Sequence, residues 1–173
     1  APALANSPEG VFFEPGDSIP RRADGNDHLA PHDPAAFRAL VAAGAALARL
    51  HIGYEQAEPY PLRRVVNNAV PFTWRVTKMT LSRDRTALVV NDALHLEGIP
   101  PEAFAYRLGN RSALEWVIDQ YQVTTDKRSG ITSDPNRRDD PEYIVRLVGQ
   151  VITVSLETQR LIGGMPELGL PEE

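Results

Sequence analysis

The chain contains no cysteine. That excludes disulfides, thiolate nucleophiles and cysteine-bound zinc or iron–sulfur centres. Aromatics are sparse, at 7% of 173 residues. The longest purely apolar run is far shorter than the ~20 residues that a membrane span needs. No charged start precedes an apolar segment in the manner of a secretory signal. Together these absences predict a cytoplasmic protein with no membrane partner. The chain opens Ala1-Pro2 rather than with methionine, which leads to the expectation of a piece excised from something larger.

Catalytic signatures are missing as well. There is no Gly-x-x-x-x-Gly-Lys phosphate loop, no Gly-x-Gly-x-x-Gly turn and no Gly-x-Ser-x-Gly nucleophile elbow. His28 and His32 are four apart, but Pro31 between them spoils a metal-binding helix face, and His51 and His95 stand alone. No metal site, catalytic residue or cofactor is therefore expected within the chain. Asp140-Pro141-Glu142-Tyr143 nearly spells the Asp-Pro-Pro-Tyr motif of amino-group DNA methyltransferases. That motif needs a preceding strand and a tight loop around a flipped base, whereas here a polar loop precedes and a helix follows, so a helix cap explains it better. Asp126, Asp134, Asp139 and Asp140 invite a divalent metal or a small hydrolase. Turn chemistry, as in Asp134-Pro135-Asn136, accounts for them more simply.

What is present is a chain 42% hydrophobic and 24% charged, enough for one domain with a real core. The net charge is −5, which argues at first against a nucleic-acid partner. The distribution says otherwise. Residues 61–90 hold Arg63, Arg64, Arg75, Lys78, Arg83 and Arg85 against Asp84 alone, a net of +5 inside an acidic chain. A polyanion responds to the local field rather than to the net charge.

Residues 1–32 carry prolines at 2, 8, 15, 20 and 31. Proline at that density blocks helix and central strand and predicts an irregular arm, with Val11-Phe12-Phe13 as a short strand or anchor. Asp33-Pro34 opens a helix reaching about Leu50, with Phe37, Leu40, Val41, Gly44, Leu47 and Ala48 as its buried stripe. Phe72, Trp74 and Val76 alternate with Thr73, Arg75 and Thr77, which predicts a strand that returns through Ser82–Arg85 to Ala87–Val90 as a hairpin. A strand is expected just before it, and another at His95-Leu96. Residues 100–104 suit one helical turn, and Tyr106–Leu108 an extended piece.

Ser112 and Glu115 form a capping box for a helix whose core face is Leu114, Val117, Ile118 and Tyr121. Residues 122–139 read as a long irregular loop, long enough to suggest function. Asp140-Pro141 then starts a last helix with Ile144, Leu147, Val148, Val151, Ile152, Ser155 and Leu161 inward, closed by Gly163-Gly164. Residues 164–173 are a tail. The expected fold is α+β, with a small, mainly antiparallel sheet over 70–108 packed by helices near 33–50, 112–121 and 141–162.

The remaining chemistry is recognition. Arg107, Asn110, Arg111, Lys127, Arg128, Asn136, Arg137 and Arg138 join the six cations of the basic window as DNA-binding candidates. Arg reads guanine, and Asn reads adenine, through paired hydrogen bonds. Lys and Ser contact phosphates and set register. The basic window and Arg107 and Arg111 are expected to share one face. Solvated surface charge is the alternative.

The stretch from Tyr106 to Asn136, Tyr-Arg-Leu-Gly-Asn-Arg-Ser-Ala-Leu-Glu-Trp-Val-Ile-Asp-Gln-Tyr-Gln-Val-Thr-Thr-Asp-Lys-Arg-Ser-Gly-Ile-Thr-Ser-Asp-Pro-Asn, resembles the C-terminal specificity domain of type ISP restriction–modification enzymes. Leu50-His-Ile-Gly-Tyr-Glu55, Pro59-Tyr-Pro-Leu62 and Val154-Ser-Leu-Glu-Thr158 are similar to flanking parts of that domain, so the likeness covers roughly residues 47–163. It implies a target-recognition module over 33–163 whose partner is double-stranded DNA. It further implies a parent chain with methyltransferase, helicase-like ATPase and nuclease parts, using S-adenosylmethionine, ATP and Mg. A scaffold that docks on the methyltransferase part through the helix at 112–121 is the alternative from another class, and the acidic-loop hydrolase a weaker one.

Overall fold

The structure, a computed structural model, describes residues 34–166. The arm expected over 1–32, its Val11-Phe12-Phe13 anchor, the Asp33 cap and residues 167–173 of the tail lie outside the described residues. Within them the fold is α+β. α1 (Pro34–Ile52) leads to a four-stranded antiparallel sheet of order β1-β4-β3-β2, built from β1 (Arg63–Val66), β2 (Thr80–Leu81), β3 (Ala87–Asn91) and β4 (Leu94–Glu97). A short ribbon of β5 (Arg107–Leu108) and β6 (Arg111–Ser112) precedes α2 (Ala113–Gln120). A second ribbon of β7 (Thr124–Thr125) and β8 (Thr132–Ser133) precedes α3 (Tyr143–Gly163).

Alternation along β3 and β4 explains the core. Leu88, Val90, Leu94 and Leu96 face inward and are buried, and Leu114 of α2 and Ile144, Leu147, Val148 and Ile152 of α3 close over them. Side chains of opposite parity, Val89, His95 and Glu97, lie on the other face.

The expected strand over residues 72–77 is absent. Val76 is buried as its alternation requires, but side chains, not a ladder, occupy the backbone of this segment. Asn91 Nδ2 donates to Thr73 O (3.0 Å) and Arg75 O (2.9 Å). Asn136 takes both backbone groups of Val76. Thr77 O accepts from Val123 N–H at 2.8 Å. A backbone already satisfied by amide side chains and a loop has no need of a strand neighbour.

Three further expectations are corrected. Residues 122–139 are not wholly irregular, since they contain the β7–β8 ribbon. α3 begins at Tyr143 with Glu142 as its cap residue and no capping side-chain hydrogen bond, because the Asp140 carboxylate is held by Arg146 instead. The stripe proposed for α1 is not buried. Phe37 and Val41 are 65% and 55% exposed, and Ala36, Leu40, Ala43, Leu47 and Leu50 form the half-buried side against α3.

By length and composition alone α1 is apolar enough to cross a membrane, yet it lies along α3. The chain after it runs down α3 in the opposite direction. His51 Nε2 lies 2.9 Å from Thr158 Oγ1, Thr153 Oγ1 donates to Glu58 O at 2.8 Å, and Tyr60 N–H donates to Gly149 O at 3.0 Å. Gly149 permits this approach, because a Cβ there would meet Pro59 Cβ at 2.9 Å.

The α2 cap is as the sequence requires. Ser112 Oγ accepts from Glu115 N–H at 3.2 Å, and Glu115 Oε2 accepts from Ser112 N–H at 2.8 Å. Leu114 is fully buried, while Val117, Ile118 and Tyr121 pack at the core margin.

Candidate nucleic-acid interface

Strand parity separates the first two candidate cations. Arg63 and Arg64 are consecutive on β1, so they leave opposite faces of the sheet. Arg63 pairs with Glu97 of β4. Arg64 pairs with Glu142 at the start of α3 and lies over the Trp74 ring, 5.2 Å from its centroid. The basic window therefore does not converge on a single face.

One group gathers around a cleft of about 450 Å³ between the Phe72–Arg75 segment and residues 134–141. Arg75 donates to Asp134 at 2.7 Å. Arg137 stacks over Tyr143, 3.3 Å from the ring centroid. Arg138 lines the same cleft and has no hydrogen-bond or ion-pair partner among the described residues. Phe72 and Trp74 form an edge-to-face pair at 4.8 Å on its wall. Their alternation with polar residues predicts a strand, but they stand on a surface cleft instead. The sequence signal for a surface cleft is Pro71 directly before them and Arg75 between them and Val76.

A second group surrounds α2. Arg85 donates to Glu115 at 2.6 Å and lies 4.0 Å from the centroid of Phe104. Its backbone sits at φ +61, a left-handed conformation that is uncommon for a non-glycine residue. Arg111 donates to Asp119 at 2.7 Å and lies near the Trp116 ring. Lys78 lines a shallow cleft with Arg111 and Asp119. Arg107 bonds the Asn110 carbonyl across the β5–β6 turn, so this pair serves the turn. Arg83, in the β2–β3 turn, has no partner among the described residues.

The ribbon differs from both groups. Every residue from Thr124 to Asp134 is exposed. Thr124 pairs with Ser133 and Thr125 with Thr132, and Thr125 Oγ1 lies 3.0 Å from Thr132 Oγ1. The pairing continues one step through Asp126 N–H to Ile131 O at 2.9 Å. At the tip Asp126 Oδ1 accepts from the Arg128 and Ser129 N–H groups at 3.0 and 2.7 Å, and Gly130 sits at φ +71. The Lys127 and Arg128 side chains are free of partners among the described residues. Thr-Thr and Ile-Thr-Ser flanking a Ser-Gly turn is the sequence signal that would have identified this hairpin.

The carboxylates of the long loop are engaged in structure. Hydrogen bonds from Asn136, then from Arg75, hold Asp134 down at about 2. Bonds from Ser129 and Arg128 lower Asp126, and the Arg146 guanidinium lowers Asp140. A general acid working near neutrality needs the opposite shift. Burial, with hydrogen bonds from Tyr121 and to Glu55, raises the Tyr143 hydroxyl far above the ordinary tyrosine range. Among the described residues no group of three His, Asp or Glu side chains is placed to hold a metal ion. What this arrangement offers is hydrogen-bonding groups held by their neighbours and a few positive charges without partners among the described residues.

Residues 29–147 match the family described as the type ISP C-terminal specificity domain. Among solved structures, the ATP-dependent type ISP restriction–modification enzyme LlaBIII bound to DNA superposes with a TM-score of 0.70 at 37% identity, covering 78% of this chain and 9% of that one. A nuclease-deletion mutant of the type ISP enzyme LlaGI, in complex with a DNA substrate mimic, gives 0.69 at 38% identity, covering 78% and 13%. A DrdV–DNA complex gives 0.61 at 35% identity, covering 75% and 14%. The chain thus spans a small part of each of these proteins. No curated protein sequence matches it significantly.

Proposed function

The chain belongs to the type ISP C-terminal specificity domain family, and from that membership we propose that it recognises a sequence on double-stranded DNA on behalf of a larger restriction–modification protein. The observation that supports this most directly is its likeness, at 37% identity over most of its length, to a part of an enzyme solved on DNA. The local structure fits such a role. The β7–β8 ribbon stands out in solvent with polar side chains and two unpaired cations at its tip, and Arg137 and Arg138 border an aromatic-walled cleft beside its foot.

In this proposal the module performs no reaction. Methyl transfer from S-adenosylmethionine to adenine N6, and ATP-driven cleavage of unmodified DNA with Mg, belong to other parts of the larger chain, which acts in the cytoplasm. The described residues hold no cluster fit for a metal, so no step is assigned to them through these groups. The candidate contacts are the ribbon tip and the cleft margin first, with Lys78, Arg83 and Asn110 as peripheral positions.

Binding of the full-length protein to a duplex pool, followed by fluorescence anisotropy at two salt concentrations, tests the proposal. The expected result is affinity that falls with salt and enrichment of one motif. Full-length protein that binds no duplex at low salt would overturn it and leave the scaffold reading in place.

A further inference from the structure

We infer that the β7–β8 ribbon enters the major groove tip first, with Arg128 reading a guanine edge and Ile131 meeting a thymine methyl. This deepens the DNA-recognition reading above and rests on it.

The ribbon has no folding reason of its own. A two-stranded hairpin is marginally stable in water, and every residue along this one is exposed. It is nevertheless held firmly, by polar ties at both ends. At its foot Val123 N–H donates to Thr77 O, Asn136 clamps Val76, and Asp134 holds Arg75. At its tip the Asp126 carboxylate fixes the Arg128 and Ser129 amides. An element ordered by hydrogen bonds rather than by burial suits a surface that must present side chains in fixed positions.

Its dimensions suit one groove. The major groove is about 12 Å wide and about 8.5 Å deep, and it admits a two-stranded ribbon, while the minor groove is about half as wide. Two strands about 4.8 Å apart fit that width with their side chains. Three residue pairs, from Thr124–Ser133 to Asp126–Ile131, rise about 7 Å, and the turn over residues 127–130 beyond them carries the tip on to the groove floor.

Its chemistry suits base edges. Opposite residues of an antiparallel pair share a face, so Thr124, Ser133, Asp126 and Ile131 lie on one side, and Thr125 and Thr132 on the other. Ile131 is 70% exposed and sits two residues past the tip, an apolar side chain in a polar ribbon. Apolar contact with thymine methyl and paired hydrogen bonds from Arg to guanine are the readings such residues make. Arg63, Arg75, Arg85 and Arg111 are already neutralised by carboxylates, whereas the Arg128 guanidinium is uncommitted.

The experiment selects duplexes from a pool with a randomised centre, using the full-length protein as wild type, Arg128→Ala, Ile131→Ala and Arg63→Ala. Wild type and Arg63→Ala should enrich the same motif. Arg128→Ala should lose about tenfold or more of its preference at one G·C position, and Ile131→Ala should weaken a nearby A·T position. Replacing that guanine by 7-deazaguanine, which lacks the major-groove N7, should reproduce the Arg128→Ala loss in wild type. If wild type enriches a motif but both ribbon variants enrich it equally, or if 7-deazaguanine changes nothing, the ribbon inference falls while DNA recognition stands. If wild type enriches nothing, DNA recognition itself falls and takes the inference with it.

Discussion

Asn136 closes both backbone groups of Val76: its Oδ1 accepts the Val76 N–H at 2.8 Å, and its Nδ2 donates to the Val76 carbonyl at 2.7 Å. One amide side chain thus replaces a strand neighbour. It also ties the foot of the β7–β8 ribbon to a core residue that is fully buried.

Asn136→Ala should therefore act on stability. It leaves a buried N–H and C=O without partners, at a cost of about 2–4 kcal/mol. Urea denaturation should show the loss, and hydrogen exchange should show the Val76 amide opened. Unchanged stability with altered sequence preference would make Asn136 a base reader instead of a clamp.

The same residue governs a titration. Asp134 is held at about 2, first by Asn136 and then by Arg75. A carboxyl depressed on folding contributes stability above its unfolded value of 3.8 and loses it as pH falls through the folded value. The Asp134–Arg75–Asn136 knot should then loosen between about pH 4 and 2. A side-chain carboxyl NMR titration checks this, and Asn136→Ala should raise the midpoint more than Arg75→Ala.

Gly149→Ala should destabilise the fold, against the usual helix preference. Alanine in mid-helix is worth about 1 kcal/mol over glycine. Here the new Cβ would meet Pro59 Cβ at 2.9 Å and the Tyr60 backbone at 3.2 Å, and neither can rotate aside. Overpacking of about 1–3 kcal/mol outweighs the propensity gain, so the denaturation midpoint should fall.

Ser112→Ala removes half of the capping box and should cost about 1 kcal/mol by thermal or urea unfolding. Glu115 keeps its bond to the Ser112 backbone, which holds the loss to that size.

Charge deletions should divide by partner. Lys127→Ala and Arg138→Ala, at cations without partners, should each reduce the slope of log affinity against log salt by about 0.9 if they touch phosphate. Arg63→Ala and Arg111→Ala, whose charges sit on Glu97 and Asp119, should change it little. Equal effects from all four would mean that the ion pairs open on DNA.

The elements the sequence made legible are those set by short-range rules. The Ser112–Glu115 box and the α3 core face depend on residues within one or two turns, and both stand in the structure, with Leu161 alone of the expected α3 face left half-buried. The family itself was legible from Tyr106 to Asn136, a stretch whose order of residues is distinctive whatever its fold.

Other features depend on partners distant in sequence. Phe72–Val76 alternates like a strand, but Asn91 and Asn136 reach its backbone first, and an amide side chain leaves no periodic trace. Nor does composition tell which cations are free. Arg75, Arg85 and Arg111 look as available as Arg128 until Asp134, Glu115 and Asp119 fold against them. The sequence alone determined the α2 cap, the β3 and β4 strands and the family. Only the tertiary structure decided which charges remain for a ligand and which side of α1 faces α3. Apart from Arg111–Asp119, eight positions apart, those outcomes rest on contacts between residues tens of positions apart, about which local propensity carries no information.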